Sequence, residues 1–226
     1  MKPCFDNRFC ASITEEDREC LCAVCCKSTF AKGEVVDARC FERRIMLILD
    51  GAIALTKSST GKMQVLNTAC DIIGHEYLFK NEYIKYSDVG TIVAFRDTTV
   101  AWFPLPDLRK AFFERPFVAR ALFMNVSVND NRKAFYRLMV QMEDAYHAVL
   151  YMMLYLQRRR IAPPTHEELA FLTGLNRVTV TKAVGEILRS ESYTSLREYM
   201  EDVTFGDGAS EGVAHHGRAD SGKEGR

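Results

Sequence analysis

The sequence predicts an α+β chain: an N-terminal antiparallel β-barrel or jelly roll, a long dimerisation helix and a C-terminal helix-turn-helix. Three observations carry this. Short apolar runs broken by turn signals fill Gly33 to Phe103, a heptad runs from Phe117 to Val149, and two short helical patterns flank Gly174.

In the first region, Ile45-Met46-Leu47-Ile48-Leu49 leads into Asp50-Gly51 and then Ala52-Ile53-Ala54-Leu55. Asp-Gly between two strand-like runs predicts a hairpin. Ser59-Thr60-Gly61-Lys62 marks the next turn, and Val89, Thr91, Val93 and Phe95 alternate as one face of a strand. Val100-Ala101-Trp102-Phe103 closes the series before Pro104 and Pro106.

From Phe117 the period changes. Ala121, Val128, Phe135, Met142 and Val149 share one register, and Phe117, Met124, Asn131, Leu138 and Ala145 share the other. Such a 4,3 spacing is a coiled-coil seam, and at about 1.5 Å per residue the helix would be some 48 Å long. That exceeds what its own barrel can cover, so the expectation is a parallel homodimer in which Asn131 fixes register.

After Arg158-Arg159-Arg160 and the break at Pro163-Pro164, Thr165 and Glu168 form a capping box that starts a helix with Leu169, Ala170 and Leu172 on its apolar face. Gly174 punctuates, Asn176 caps a second helix, and Val180, Val184, Ile187 and Leu188 form its buried stripe. On the opposite face Arg177, Val178, Thr181 and Lys182 can reach base edges, and Thr179 and Thr181 suit phosphate. Within 146–190, six Arg/Lys face three Glu, which suits DNA. The glycine-rich stretch 206–226 is expected to be a disordered tail.

Composition sets limits. With 30 Lys+Arg against 30 Asp+Glu the chain has no net charge, so any nucleic-acid contact must come from a local patch. No apolar run is long enough to span a membrane, and the first residues lack the order of a signal peptide, so the chain is read as cytoplasmic without a membrane partner. Its eight cysteines are then expected as thiols, metal ligands or redox switches.

The order of parts resembles the CRP/FNR transcription regulators over about residues 10 to 190. The most specific pieces are Ala31-Lys32-Gly33-Glu34, Asp71-Ile72-Ile73-Gly74-His75-Glu76-Tyr77-Leu78-Phe79, and Leu169 through Lys182. The resemblance implies a cyclic-nucleotide-binding-like barrel, a winged-helix-type DNA-binding unit, and a homodimer on double-stranded promoter DNA that contacts RNA polymerase. It divides the chain into a Cys-rich segment and helix (1–30), an effector-sensing barrel (31–115), a dimerisation helix (116–157), the DNA-binding domain (158–205) and the tail (206–226). Val178-Thr179-Val180-Thr181-Lys182 looks like the branch that senses halogenated aromatic acids, the CprK type. Family members usually have a β-hairpin wing after the recognition helix, whereas 190–200 reads as polar and helix-compatible.

The resemblance also frames the signal. Cyclic-AMP members use a Glu in the effector loop, matched by Glu76, and an Arg-Ser pair that here aligns with Asp88-Val89. An Asp where a phosphate must sit argues against cyclic AMP. A small organic effector between barrel and helix is the alternative, with Gly74, His75, Glu76, Tyr77, Arg132, Lys133 and Tyr136 as its candidate contacts and Trp102 as a ring contact. A haem held by His75 is another option. Oxygen-sensing members hold an iron-sulfur cluster on four cysteines, of which only Cys4 and Cys10 are matched here. Cys22, Cys25 and Cys26 would share a face if 14–28 is helical, so with Cys4 and Cys10 they are the candidate metal ligands, against the plainer reading of buried thiols.

The principal expectation is therefore a DNA-binding regulator without catalytic activity. Alternatives are an iron-sulfur or metal-dependent redox sensor and a cyclic-nucleotide-type binding module acting by protein contact. A cupin-like enzyme is disfavoured because the barrel carries a single histidine, His75.

Overall fold

The computed structural model describes residues 8–56, 63–79, 91–142 and 144–202. The N-terminal helices α1 (Arg8–Ala11) and α2 (Glu15–Val24) precede a run of strands. Thr14 caps α2 by accepting from the Asp17 amide, and three acidic residues follow in its first turn. Arg115 holds Asp17 at 2.7 Å and keeps that carboxyl below the usual range, which ties α2 to the start of the long helix.

The strands are β1 (Cys26–Phe30), β2 (Val35–Val36), β3 (Arg44–Asp50), β4 (Ala52–Thr56), β5 (Met63–Thr68), β6 (Ile72–Ile73), β7 (Ile92–Ala94) and β8 (Thr98–Pro104). They pair as two antiparallel sheets in the orders β1-β8-β3-β6 and β2-β7-β4-β5, the alternation of a jelly roll. Between the sheets lie Phe41, Met46, Ile48, Ile53, Ile92 and Val100, all essentially buried. Each large side chain so removed from water contributes about 1.5–3 kcal/mol.

Asp50-Gly51 does not make the hairpin its sequence predicts. β3 pairs with β8 and β6, and β4 pairs with β5 and β7, so the turn carries the chain from one sheet to the other. Gly51 has φ +87°, and a Cβ there would overlap the Asp97 carbonyl and Thr98. A tight corner of this kind admits only glycine. The predicted turn at 59–62, together with Val89, lies outside the described residues.

The single long helix is also corrected. Helix α3 (Leu105–Glu114) leads into α4 (Pro116–Met142), and a separate helix α5 (Ala145–Arg158) follows. Asp144 ends the continuity because its side chain accepts from the His147 amide at 3.0 Å and caps α5. Val149, expected in the seam, is instead fully buried among the C-terminal helices. Ala121 is buried against the barrel, whereas Phe117, Met124, Val128, Asn131 and Leu138 of α4 are exposed. The side chains of Phe135 and Met142 lie outside the described residues.

Helices α6 (His166–Thr173) and α7 (Arg177–Ser190) form where the sequence places them. Thr165 and Glu168 make both halves of the capping box, Gly174 ends α6 at φ +73°, and Asn176 caps α7 through the Thr179 amide. No strand follows α7 among the described residues. Where the family usually has a wing stands helix α8 (Leu196–Asp202), as the helix-compatible sequence there allows, and its Tyr199 and Met200 pack into the same core. Those two side chains, three and four residues after Leu196, which packs on the same cluster, make a helical face and not the alternation of a strand. The expected tail, 206–226, lies outside the described residues. No described helix is long and apolar enough to cross a membrane.

The C-terminal helices do not stand apart from the barrel. Ala52, Ala54 and Leu66 of the second sheet, with Phe95 just after β7, share one apolar cluster with Val149, Met153, Leu169, Val180 and Ile187. Phe95 stacks on Phe171 with centroids 6.4 Å apart and planes 14° from parallel.

Candidate functional site

Two places gather the chemistry. The first is a cavity of about 270 Å³ between the barrel and α4. Leu55, Val65, Ile72 and Ile73 make its apolar wall, and Asn67, His75, Glu76, Asp130 and Lys133 its polar end. Gly74 lets the loop after β6 turn at φ +91°, where a Cβ would lie 2.9 Å from the Phe41 ring. The turn then winds through His75–Phe79 in a single 3-10 segment, so His75 and Glu76 face α4.

His75 is held by its surroundings. Its Nδ1 lies 3.3 Å from the Ile72 carbonyl, an acceptor that favours a proton on Nδ1. Its Nε2 lies 3.7 Å from Asp130 Oδ2, and Nδ1 is 3.9 Å from Glu76 Oε2. Lys133, mostly buried, reaches Asp130 at 3.5 Å and Asp71 at 4.0 Å. The polar end thus brings together the Lys133 ammonium, beside Asp130 and Asp71, and the His75 ring, beside Asp130 and Glu76.

Not every expected contact is present. Tyr77 packs against the barrel core near Phe41 and Trp102, and its carbonyl accepts from Arg109 at 2.6 Å. Trp102 is likewise a core residue: it lies 5.5 Å from the Phe41 ring, its Nε1 donates to Ser28 Oγ at 2.7 Å, and it does not line the cavity. The side chains of Arg132 and Tyr136, and Asp88 altogether, lie outside the described residues. Sequence reasoning missed Asn67, Asp71 and Asp130, although Asp130 sits one helical step before Lys133 and on its face.

The cysteines do not assemble as a helix through residue 28 would require. α2 ends at Val24, Cys25 is its C-cap and Cys26 begins β1, so the face expected to join Cys22, Cys25 and Cys26 is broken. Cys10 is buried with Phe9, Ile13 and Leu21 in the core, Cys26 is exposed, and Cys4 lies outside the described residues. Among the described residues no group of three or more His, Cys, Asp or Glu side chains is placed to hold a metal ion.

The second place is the outer face of α7. Arg177, Val178, Thr181 and Lys182 are exposed there, Val178 at 67%, and Thr179 is half-buried. Thr181 Oγ1 donates to the Arg177 carbonyl at 2.9 Å and lies 3.1 Å from His166 Nδ1, so its hydroxyl is already occupied. Arg158, Arg160 and Arg189 are also exposed. Arg159 is not part of that surface, because it turns inward toward Asp71 at 3.9 Å. Glu168 leaves the surface charge count as well: it pairs with Arg96 at 2.6 Å and Lys32 at 2.7 Å, both from the barrel. Burial opposes its charge, but the hydrogen bonds from Arg96, Lys32 and the Thr165 amide outweigh burial and lower its carboxyl to about 2.

The chain matches no family model and no curated protein sequence. It does match solved structures. A transcriptional regulator of the Crp/Fnr family from Eubacterium rectale is 12% identical with a TM-score of 0.57, covering 83% of this chain and 88% of that one. FixK2 from Bradyrhizobium japonicum is 18% identical with a TM-score of 0.59, covering 83% and 100%. CprK in complex with OCPA is 17% identical with a TM-score of 0.51, covering 81% and 86%. CprK thus has the lowest TM-score of the three, and at these identities the likeness is one of fold. The chain shares the fold of CRP/FNR-family transcription regulators.

Proposed function

We propose that the chain is a non-catalytic, homodimeric transcription regulator of CRP/FNR type, whose affinity for promoter DNA answers to a small organic molecule bound between barrel and α4. The observation that carries this is the face of α7. Arg177, Val178 and Lys182 project from the first turns of a capped helix whose opposite stripe, Val180, Ala183, Val184 and Ile187, is buried. A helix held in this way can enter a major groove, with Arg177 on a guanine edge and Val178 against a thymine methyl. Exposed Arg158, Arg160 and Arg189 supply phosphate contacts in a chain with no net charge.

Dimer formation is supported by the exposed apolar line Phe117, Met124, Val128 and Leu138 on α4, interrupted by Asn131. A second copy in parallel covers this line and sets two α7 helices for two half-sites. In its cytoplasmic setting the bound dimer recruits RNA polymerase.

The effector's class follows from the cavity. At about 270 Å³ it is at the small end of ligand pockets and has one apolar wall and one polar end. It suits a compact amphiphilic acid, the ligand class of the CprK-type branch that Val178 through Lys182 resembles, and not a cyclic nucleotide. The acid group takes Lys133 by displacing Asp130, whose side chain is half exposed and can turn to water.

The test is selection of genomic fragments by the full chain, with and without Arg177→Ala and Lys182→Ala. Enrichment of particular fragments by the native chain and its loss in the double variant supports the reading. Equal, sequence-blind retention by both overturns it.

A further inference from the structure

Asp71 occupies an unusual position. It lies on the turn between β5 and β6, with no exposed surface, and its Oδ2 accepts from the Thr68 amide at 2.7 Å. The turn is fixed: the Asp71 and Cys70 backbones bond Ile48 on β3, and Asn125 of α4 donates to the Cys70 carbonyl at 2.8 Å. Asp71 Oδ1 has no hydrogen-bond partner among the described residues. Two cations flank the carboxylate without closing on it, Lys133 from the cavity at 4.0 Å and Arg159 from the end of α5 at 3.9 Å.

Arg159 is equally unfinished. Its Nε and Nη2 are buried without a hydrogen-bond partner among the described residues, and its guanidinium lies 5.7 Å from the centroid of the Tyr155 ring. It is also the C-cap of α5, with its amide bonded to the Tyr155 and Leu156 carbonyls. Arg160 follows at φ +54°, and six residues later α6 begins. A buried guanidinium and a buried carboxylate that stand just beyond hydrogen-bond distance normally close together, because each otherwise carries the full cost of desolvation.

We propose that Asp71 is a shared relay between the cavity and the segment that leads into the α6–α7 pair. While Lys133 holds one side of the carboxylate, the Asp71–Arg159 contact stays open and the end of α5 is loosely anchored. When the charge of Lys133 is engaged elsewhere, its pull on Asp71 and its repulsion of Arg159 both fall. The carboxylate then closes on Arg159 and stiffens the path into the reading helices. The relay rests on the proposed effector cavity, since an anionic ligand at Lys133 is what would engage it.

The test needs neither effector nor DNA. Hydrogen exchange is measured at the amides of Arg159, Arg160 and Ile161 in the full chain and in Lys133→Gln, which removes the cation as a bound acid would. Exchange there is expected to slow roughly threefold or more in Lys133→Gln, and to be unchanged by that substitution in an Asp71→Asn background. Unchanged rates in Lys133→Gln, or equal slowing in the Asp71→Asn background, overturn the relay while leaving the DNA-reading proposal untouched.

Should Asp71→Asn not fold, a thermal cycle on Lys133→Gln and Arg159→Gln decides. A shared carboxylate predicts that the double variant loses more Tm than the two singles together, because only then is Asp71 left alone. Simple additivity contradicts it.

Discussion

Glu168 Oε1 lies 2.6 Å from Arg96 Nη1, joining residues 72 positions apart across the junction of barrel and helix pair. The same carboxylate takes Lys32 at 2.7 Å and completes the capping box of α6 through the Thr165 amide. One side chain therefore starts a helix and fastens it to the second sheet, beside the Phe95–Phe171 stack.

Glu168→Gln should lower folding stability by about 1.5–3 kcal/mol, the range for a hydrogen bond to a charged group, as read from denaturant unfolding. Lys32→Gln should lose only about 0.2–1 kcal/mol, since Lys32 is mostly solvated. A Glu168→Gln protein as stable as the native one contradicts the assignment.

The same contact has a pH signature. The folded carboxyl titrates at about 2 and the free one at 4.5, so the unfolded chain takes up its proton first as pH falls. The stabilisation is complete above about pH 4.5 to 5 and is lost as pH falls toward 2. Over that window the difference in stability between native and Glu168→Gln proteins should shrink, and a constant difference contradicts the pairing.

Arg177→Ala and Lys182→Ala should each weaken specific DNA binding by about 1–3 kcal/mol in a titration at fixed salt. Both side chains are exposed, so Tm should not move. A lower Tm in either variant would instead assign that residue a structural role.

Met124→Asp or Leu138→Asp should convert a dimer to monomers in sedimentation, because each places a charge in an apolar seam. Asn131→Leu should strengthen association and loosen register. A native chain that sediments as a monomer removes the seam from the account.

Gly51→Ala should destabilise the barrel by about 1–3 kcal/mol or more, since it forces a side chain at φ +87° into the Asp97 carbonyl. Thermal unfolding reads this directly, and a neutral substitution contradicts the corner.

What the sequence disclosed was chiefly local. Thr165, Glu168, Gly174 and Asn176 act within four residues of their partners, so the start and end of α6 and the start of α7 were legible. Alternation around Val93 marked β7, and the apolar run Val100 to Phe103 before Pro104 marked β8, for the same reason. Asp50-Gly51 misled because a turn is local but its strands' partners are not: the two runs join different sheets. The heptad misled because Val149 keeps the 4,3 spacing while burying against its own chain's helices, and spacing does not say what covers a face. Asp144 before Ala145 was the available signal for the break, as an N-cap residue inside an apolar rhythm. The cavity was half legible: Gly74 through Glu76 and Lys133 stood out, but Asn67, Asp71 and Arg159 meet them only through long-range packing.

The most direct measurement is a cleavage-protection footprint of the 226-residue chain on a fragment it selects, repeated with Leu138→Asp. The account predicts two protected half-sites with inverted symmetry, about 10 base pairs apart centre to centre, lost together in the monomeric variant. Protection of a single half-site with undiminished affinity in Leu138→Asp, or protection with no preferred sequence, would contradict it.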